Sequence, residues 1–326
     1  MFPKSTPPKT LTKAEQRRLP SLRAQAPDPS MVKVFYSPEY SGSSYAFDTT
    51  RKAKWIADSL GSSPISGVEL VSPKPLSWEQ LVQVHDPEYA RAVQTGVVRS
   101  LAESQGFTWD EGLWPMVLAS NGGAVAAGLA ALRHGLAGSL SSGLHHARCG
   151  SGAGFCTFNG LVLAANEALA TGAGSVLILD LDAHCGGGTA SLIAEEPRIW
   201  QLDVSVSEFD SYASGTRAWL RIVRRGGDYL GEIERGLGEI RRHGPRFDLC
   251  LYNAGMDPFE GCSTGGLAGI TEDILAARER LVFDWCSEGK LAIAFVLAGG
   301  YVGPRLDVEG LVALHRLTLS AAAAAG

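Results

Sequence analysis

Short aliphatic runs recur along this chain, and their texture limits what it can fold into. Residues 32–36, 176–181, 199–204 ("IWQLDV"), 248–253 ("DLCLYN") and 291–298 ("LAIAFVLA") lack a clean alternation of apolar and polar side chains. A strand with one wet face alternates, whereas a strand covered on both faces does not. Between the runs lie stretches with helical spacing, at 51–60, 116–134, 160–171, 229–242, 271–287 and 305–322. Helix starts are marked by their chemistry: Ser77 with Gln80 spells a capping box, Pro87 follows Asp86, and Thr271 precedes the acids Glu272 and Asp273. Doubly buried strands alternating with helices predict a single-domain, three-layer α/β/α fold around a mainly parallel sheet, spanning residues 31–322. In such sheets the working residues stand just past the carboxyl ends of the strands. That rule points to 180–184, 253–257 and 299–301.

The flanks differ in character. Residues 1–30 are rich in Pro, Lys and Arg, with Glu15 and Asp28 as their only acids. They read as a flexible tail, and the alanines that end the chain read as a frayed terminus over 323–326. Six scattered cysteines form no CxxC pair, so neither a zinc ribbon nor a disulfide framework is indicated, and a reduced, cytoplasmic protein is expected. A net charge of −5 argues against a nucleic-acid partner. No uninterrupted apolar run reaches the ~18 residues of a membrane span, so no membrane partner is expected. The composition is compatible with an oligomer.

The densest chemistry is in "VLILDLDAHCGGGT" (176–189). A phosphate loop would space its glycines as GxxxxGK[ST] or GxGxxG directly after the strand. Here Asp180, Asp182 and His184 come first, and carboxylates repel phosphate. On an extended strand end, Asp182 and His184 share one face. They supply two of the three protein ligands of a catalytic zinc site, or else form a salt-bridged pair. Asp257, in "NAGMDP" after the run 248–253, is the candidate for the third ligand, with a turn before Pro258 as its alternative role. "SGLHHARCGSGAGFCTFNG" (142–160) sets His145 and His146 side by side in a Gly-rich loop. Imidazoles beside a metal site are suited to acid–base work near neutral pH. In "LAGGYV" (298–303) the phenol of Tyr301 follows a strand end, where it is placed to donate to an oxyanion.

Taken in order, "GLHHARCGSGAGFCTFN", "LILDLDAHCGGGT", "NAGMDP" and "LAGGY" resemble the signature blocks of the histone deacetylase and acetylpolyamine amidohydrolase superfamily, and "LVQVHDPEYARAV" (81–93) resembles an upstream family segment. The resemblance implies the arginase/deacetylase fold and a zinc-dependent amidohydrolase that removes an acetyl or related acyl group from an amine. It implies one Zn2+ per chain on Asp182, His184 and Asp257, and His145 and His146 as the pair that handles the protons. Asp180 would orient the first histidine and help hold a structural K+, and Tyr301 would polarise the acyl carbonyl. Phe155 and Tyr212 would form facing walls of the substrate tunnel. The implied partner is an acylated amine, either a small molecule or an acyl-lysine peptide. A second metal would need carboxylates where Gly186 and Phe259 stand, which favours one ion.

Three departures from the family pattern accompany the resemblance. Cys185, Gly186 and Gly187 follow the metal histidine, and the carboxylate that in many relatives partners the second tandem histidine is missing at Gly187. His146 is therefore expected to be loosely oriented. "FDTTRK" (47–52) replaces a His-Pro-Glu run, and for the family's acidic substrate-gripping residue Glu103 is the one suggestion. The alternative reading is a non-catalytic acyl-amine binding protein that retains the pocket.

Overall fold

A computed structural model describes residues 31–326; the expected tail over residues 1–30 lies outside the described residues. Eight strands form one sheet: β1 Val32–Phe35, β2 Val68–Val71, β3 Leu136–Ser139, β4 Val176–Asp180, β5 Ile199–Ser205, β6 Ala218–Ile222, β7 Leu249–Gly255 and β8 Ala292–Ala298. Their order across the sheet is β2-β1-β3-β8-β7-β4-β5-β6, and each pairing is parallel. The helices are α1 Asp48–Ser62, α2 Trp78–Leu81, α3 Pro87–Thr95, α4 Arg99–Ala102, α5 Leu113–His134, α6 Gly160–Ala170, α7 Gly187–Leu192, α8 Tyr229–His243, α9 Glu272–Gly289 and α10 Val308–Ala325.

The apolar texture of the strands follows from two cores. In β4, Val176 and Ile178 join the cluster formed with α5 and α6, while Leu177 and Leu179 join the cluster formed with α1, α8, α9 and α10. Successive side chains point to opposite faces, so a strand between two helical layers is lined mainly by apolar residues on both faces. The caps act as their residue types dictate. Ser77 and Gln80 close the capping box of α2, the Asp86 carboxylate accepts the Glu88 and Tyr89 amides, and Thr271 Oγ1 accepts the Ile274 amide. α5 is long and apolar enough to cross a membrane, which a search for uninterrupted apolar runs does not reveal; 72% of its most apolar window is buried inside this fold.

Two differences from the sequence reading have physical causes. Instead of fraying from residue 323, α10 continues to Ala325, as the high helix propensity of alanine favours. Three strands, β2, β3 and β6, escaped the apolar-run criterion. β3 is only "LAGS", and a Cβ on Gly138 would lie 2.1 Å from the Phe295 ring of the neighbouring strand. Its smallness is imposed by packing across the sheet and leaves no periodicity to read. β2 and β6 are edge strands with partly exposed residues.

Behind the strand ends, fully buried Arg278 of α9 ties two loops together. Its Nη1 donates to the carbonyl oxygens of Gly255 (2.6 Å) and Leu181 (3.3 Å), and its Nε donates to Glu279 Oε1 (2.9 Å). Leu181 lies between Asp180 and Asp182, and Gly255 lies two residues before Asp257. Glu279 is also buried and accepts the Tyr252 hydroxyl at 2.9 Å. Removing one member of a buried pair strands the other charge. Arg278→Met is therefore expected to lower unfolding stability in urea by about 3–5 kcal/mol, and Arg278→Met/Glu279→Leu to recover most of that loss. A double variant as unstable as the single one would refute the pairing argument.

Candidate active site and metal centre

Four neighbouring strands, β3-β8-β7-β4, deliver the site. The histidine loop follows β3, Tyr301 follows β8, Asp257 follows β7, and Asp182 and His184 follow β4. The ligand atoms of Asp182, His184 and Asp257 lie within 4.8 Å of one another, and all three residues are buried. His184 Nδ1 is 3.2 Å from Asp182 Oδ1 and 3.2 Å from Asp257 Oδ2. Asp257 Oδ2 nevertheless has no aligned hydrogen-bond donor. Its other oxygen, Oδ1, accepts the Ala183 amide at 3.0 Å. Two metal–ligand arms of ~2.1 Å at a tetrahedral angle separate their donors by ~3.4 Å. The O, N, O donor set, its spacing and the orphaned carboxylate oxygen thus fit a zinc ion. In the bare site, burial disfavours the His184 charge, but hydrogen bonds and attraction from Asp182 and Asp257 outweigh it and raise His184 to about 10. A proton there does part of what a cation would do.

The tandem histidines face this triad. His145 Nδ1 donates to Asp180 Oδ2 at 2.7 Å, and Asp180 Oδ1 accepts the Asn253 side-chain amide at 2.8 Å. The Nε2 atoms of His145 and His146 are 3.1 Å apart. Burial works against charge on both imidazoles. At His145 the attraction of Asp180 and Asp182 prevails, and its pKa rises to about 10. At His146 burial and the neighbouring His145 cation prevail, and its pKa falls to about 4. In the bare site the two adjacent imidazoles are thus shifted in opposite directions by their surroundings. Tyr301 is buried beside them, its ring 6.5 Å from that of His184. Burial, then the charges of Asp257 and Asp182, hold its hydroxyl well above the usual phenol range, so it remains a donor.

The model of the histone deacetylase domain matches residues 47–310. The chain belongs to the histone deacetylase family. It is accordingly a hydrolase acting on amide bonds, of the acyl-amine deacetylase class. It is 33% identical to an uncharacterised protein of Picosynechococcus sp. over 76% of this chain and 81% of that protein. To histone deacetylase 2 of Arabidopsis thaliana it is 25% identical, over 84% of this chain and 75% of the relative. Among solved structures, acetylpolyamine aminohydrolase from Burkholderia pseudomallei aligns with a TM-score of 0.74 at 18% identity, covering 89% of this chain and 98% of that one. The HD domain of HDA15 aligns with a TM-score of 0.72, also at 18% identity, covering 90% of each chain. These structural likenesses describe the fold.

Where this deacetylase-family chain departs from the family pattern, the structure corrects three expectations. His146 is not left without a carboxylate at Gly187: its Nδ1 lies 2.9 Å from Asp210 Oδ2, on the loop after β5. Tyr212 does not form the tunnel wall opposite Phe155. Its hydroxyl is buried without a partner and feels Asp203, Asp180 and Cys185, beneath the site. Phe209 stands at the mouth instead, half exposed, with its ring 5.0 Å from His146 and 6.0 Å from His184. Phe155 lies 6.4 Å from Tyr301 and stacks at 4.1 Å on Phe47. Phe47 opens the "FDTTRK" segment, and no motif marks it. Its neighbour Asp48 accepts the Val302 amide at 3.1 Å, so this divergent segment still buttresses the tyrosine loop. Glu103 accepts the Trp109 amide at 2.8 Å, which engages it within its own loop. Asp203 was also missed. This buried carboxyl is raised well above the usual carboxylate range by burial and by Asp180, and only its register beside Asp180 on β4 reveals it.

The histidine loop hangs on His85. Its Nδ1 donates to the Arg148 carbonyl and its Nε2 accepts the Asn159 amide, both at 2.9 Å. Asn159 in turn donates to His145 O (3.2 Å) and Thr189 Oγ1 (2.9 Å). Both His85 bonds require the neutral Nδ1–H tautomer, and burial lowers its pKa from 6.5 to about 4. Between those values the unfolded chain binds the extra proton. The contribution is therefore complete above about pH 6.5 and is lost as pH falls toward 4. Through this group alone, acidification from pH 7 to 5 is expected to cost about 2 kcal/mol. Urea titrations at both pH values should show that increment in the wild type and lack it in His85→Gln; equal pH dependence in the two would refute it.

Proposed function

We propose that this chain is a zinc-dependent deacylase that removes an acetyl or related acyl group from an amine: an acyl-lysine, an acetylpolyamine or a small acylated metabolite. The observation that carries this reading is the convergence of Asp182, His184 and Asp257 opposite two adjacent imidazoles, each held through Nδ1 by a carboxylate. Asp182, His184 and Asp257 would hold a single zinc, which when bound supplies Lewis acidity toward a water and the acyl oxygen. The rest is done by the chain. His146 presents its Nε2 lone pair to take the proton of the attacking water, while Asp180 fixes His145 through Nδ1. The histidine pair returns a proton to the departing amine, and the Tyr301 hydroxyl donates to the acyl oxygen as it gains charge.

Phe47, Phe155 and Phe209 support an extended alkyl chain as the group that threads the mouth. A binding protein has no use for both a proton-handling pair and a buried phenol donor, which argues against the non-catalytic alternative. A K+ beside Asp180 belongs to the same proposal. Asp180 and Asp203 are both fully buried, and among the described residues no Lys or Arg bonds to either.

Purified protein is expected to carry about one zinc per chain and to release acetate from an acetyl-lysine peptide or acetylputrescine. Tyr301→Phe should lower kcat by about 10²–10³ while retaining the metal. Full turnover after metal stripping, or undiminished turnover by Tyr301→Phe, would overturn the mechanism. Comparing kcat/KM across acyl-lysine peptides, acetylpolyamines and small acylated amines decides the substrate class.

A further inference from the structure

We propose that Asp210 is the positioning residue for His146, a carboxylate delivered by the loop after β5 in place of one on the metal-bearing loop at position 187. The inference rests on the deacylase reading for its catalytic consequence and on geometry for its existence. Asp210 Oδ2 is 2.9 Å from His146 Nδ1 and also accepts the Gly188 amide at 3.1 Å. Oδ1 accepts Arg148 Nη2 at 2.5 Å, and the carboxylate is almost wholly buried. Both oxygens are thus engaged, which fixes the plane of the carboxylate. With its Nδ1–H committed to Asp210, His146 keeps the Nε2 lone pair on the reacting side, the arrangement a general base requires.

Gly187 makes the exchange reciprocal. A Cβ built there would lie 2.3 Å from Asp210 O, 2.6 Å from its Oδ1 and 2.8 Å from its Cγ. Asp210, through its backbone carbonyl and its carboxylate together, occupies the space that a side chain at 187 would need. Asp210 itself has φ +60, in the left-handed region that Asp enters more readily than most residues. The relocation also changes what the proton-handling pair is attached to. Phe209, the adjacent residue, lines the mouth, and its carbonyl accepts the Cys185 amide at 3.0 Å. One loop therefore touches both the entering substrate and the histidine that works on it, whereas a carboxylate at 187 would be independent of the mouth.

The test compares the zinc-loaded full chain with Asp210→Ala and Asp210→Asn, reading kcat, KM, zinc content and the imidazole N–H resonances by NMR. Asp210→Ala is expected to lower kcat by about 10–100-fold, with zinc content and KM close to those of the wild type. The hydrogen-bonded Nδ1–H signal, assigned by its loss in His146→Gln, should vanish in Asp210→Ala with or without zinc. Should Asp210→Ala not fold, the isosteric Asp210→Asn carries the test and should lose kcat with KM retained. Undiminished kcat, a loss that tracks zinc content, or a signal that survives Asp210→Ala would overturn the proposal. A wild type that shows the signal but hydrolyses no acyl amine condemns the deacylase reading and leaves the His146–Asp210 bond standing.

Discussion

Asp180, Asp182 and Asp257 are held almost completely out of water at the carboxyl ends of β4 and β7, and this burial organises the site. Isolated buried carboxylates carry a large desolvation penalty, which is met by paired charges and hydrogen bonds. The chain surrounds them with His145, His184, backbone amides and the Asn253 side chain. That uneven supply of partners makes two adjacent histidines dissimilar. One gains a proton from the field of Asp180 and Asp182, and the other loses it to burial and to its charged neighbour.

Rigidity around the carboxylates comes from a further layer of buried polar groups. Arg278 ties the Leu181 and Gly255 carbonyls from behind, and His85 and Asn159 hold the histidine loop from the side. Each is a fully satisfied or nearly satisfied bond set in a dry interior, where geometry is costly to disturb. The mouth is built differently. Phe47 and Phe209 are about half exposed, on irregular segments at the rim of the site. The converging polar residues are thereby held in the dry interior and the aromatic rings at the half-exposed rim.

How much of this could be read beforehand depends on the range of the interaction. The β4, β7 and β8 runs were legible because both faces of each strand are covered, while "LAGS" of β3 was not, because its small residues answer to a ring on β8. Asp182, His184, Asp257, His145, His146 and Tyr301 were legible as local motifs at strand ends. Tyr212 was assigned to the mouth by the resemblance, yet it lies beneath the site, and the ring at the mouth belongs to Phe209, three residues earlier. In an irregular loop, no period tells which of several aromatic residues faces inward.

By itself, the sequence determined the layering of the fold, the residue types that converge at the strand ends and the order in which they occur, because apolar texture, capping and strand-end motifs are properties of short windows. Only the tertiary structure decided that β3, β8, β7 and β4 lie side by side, so that segments from residue 145 to residue 301 meet at one point. It also decided the partner of His146. Gly187 reads as a lost carboxylate along the chain; in space it is the vacancy that admits Asp210, because two loops distant in sequence share a volume that holds only one side chain.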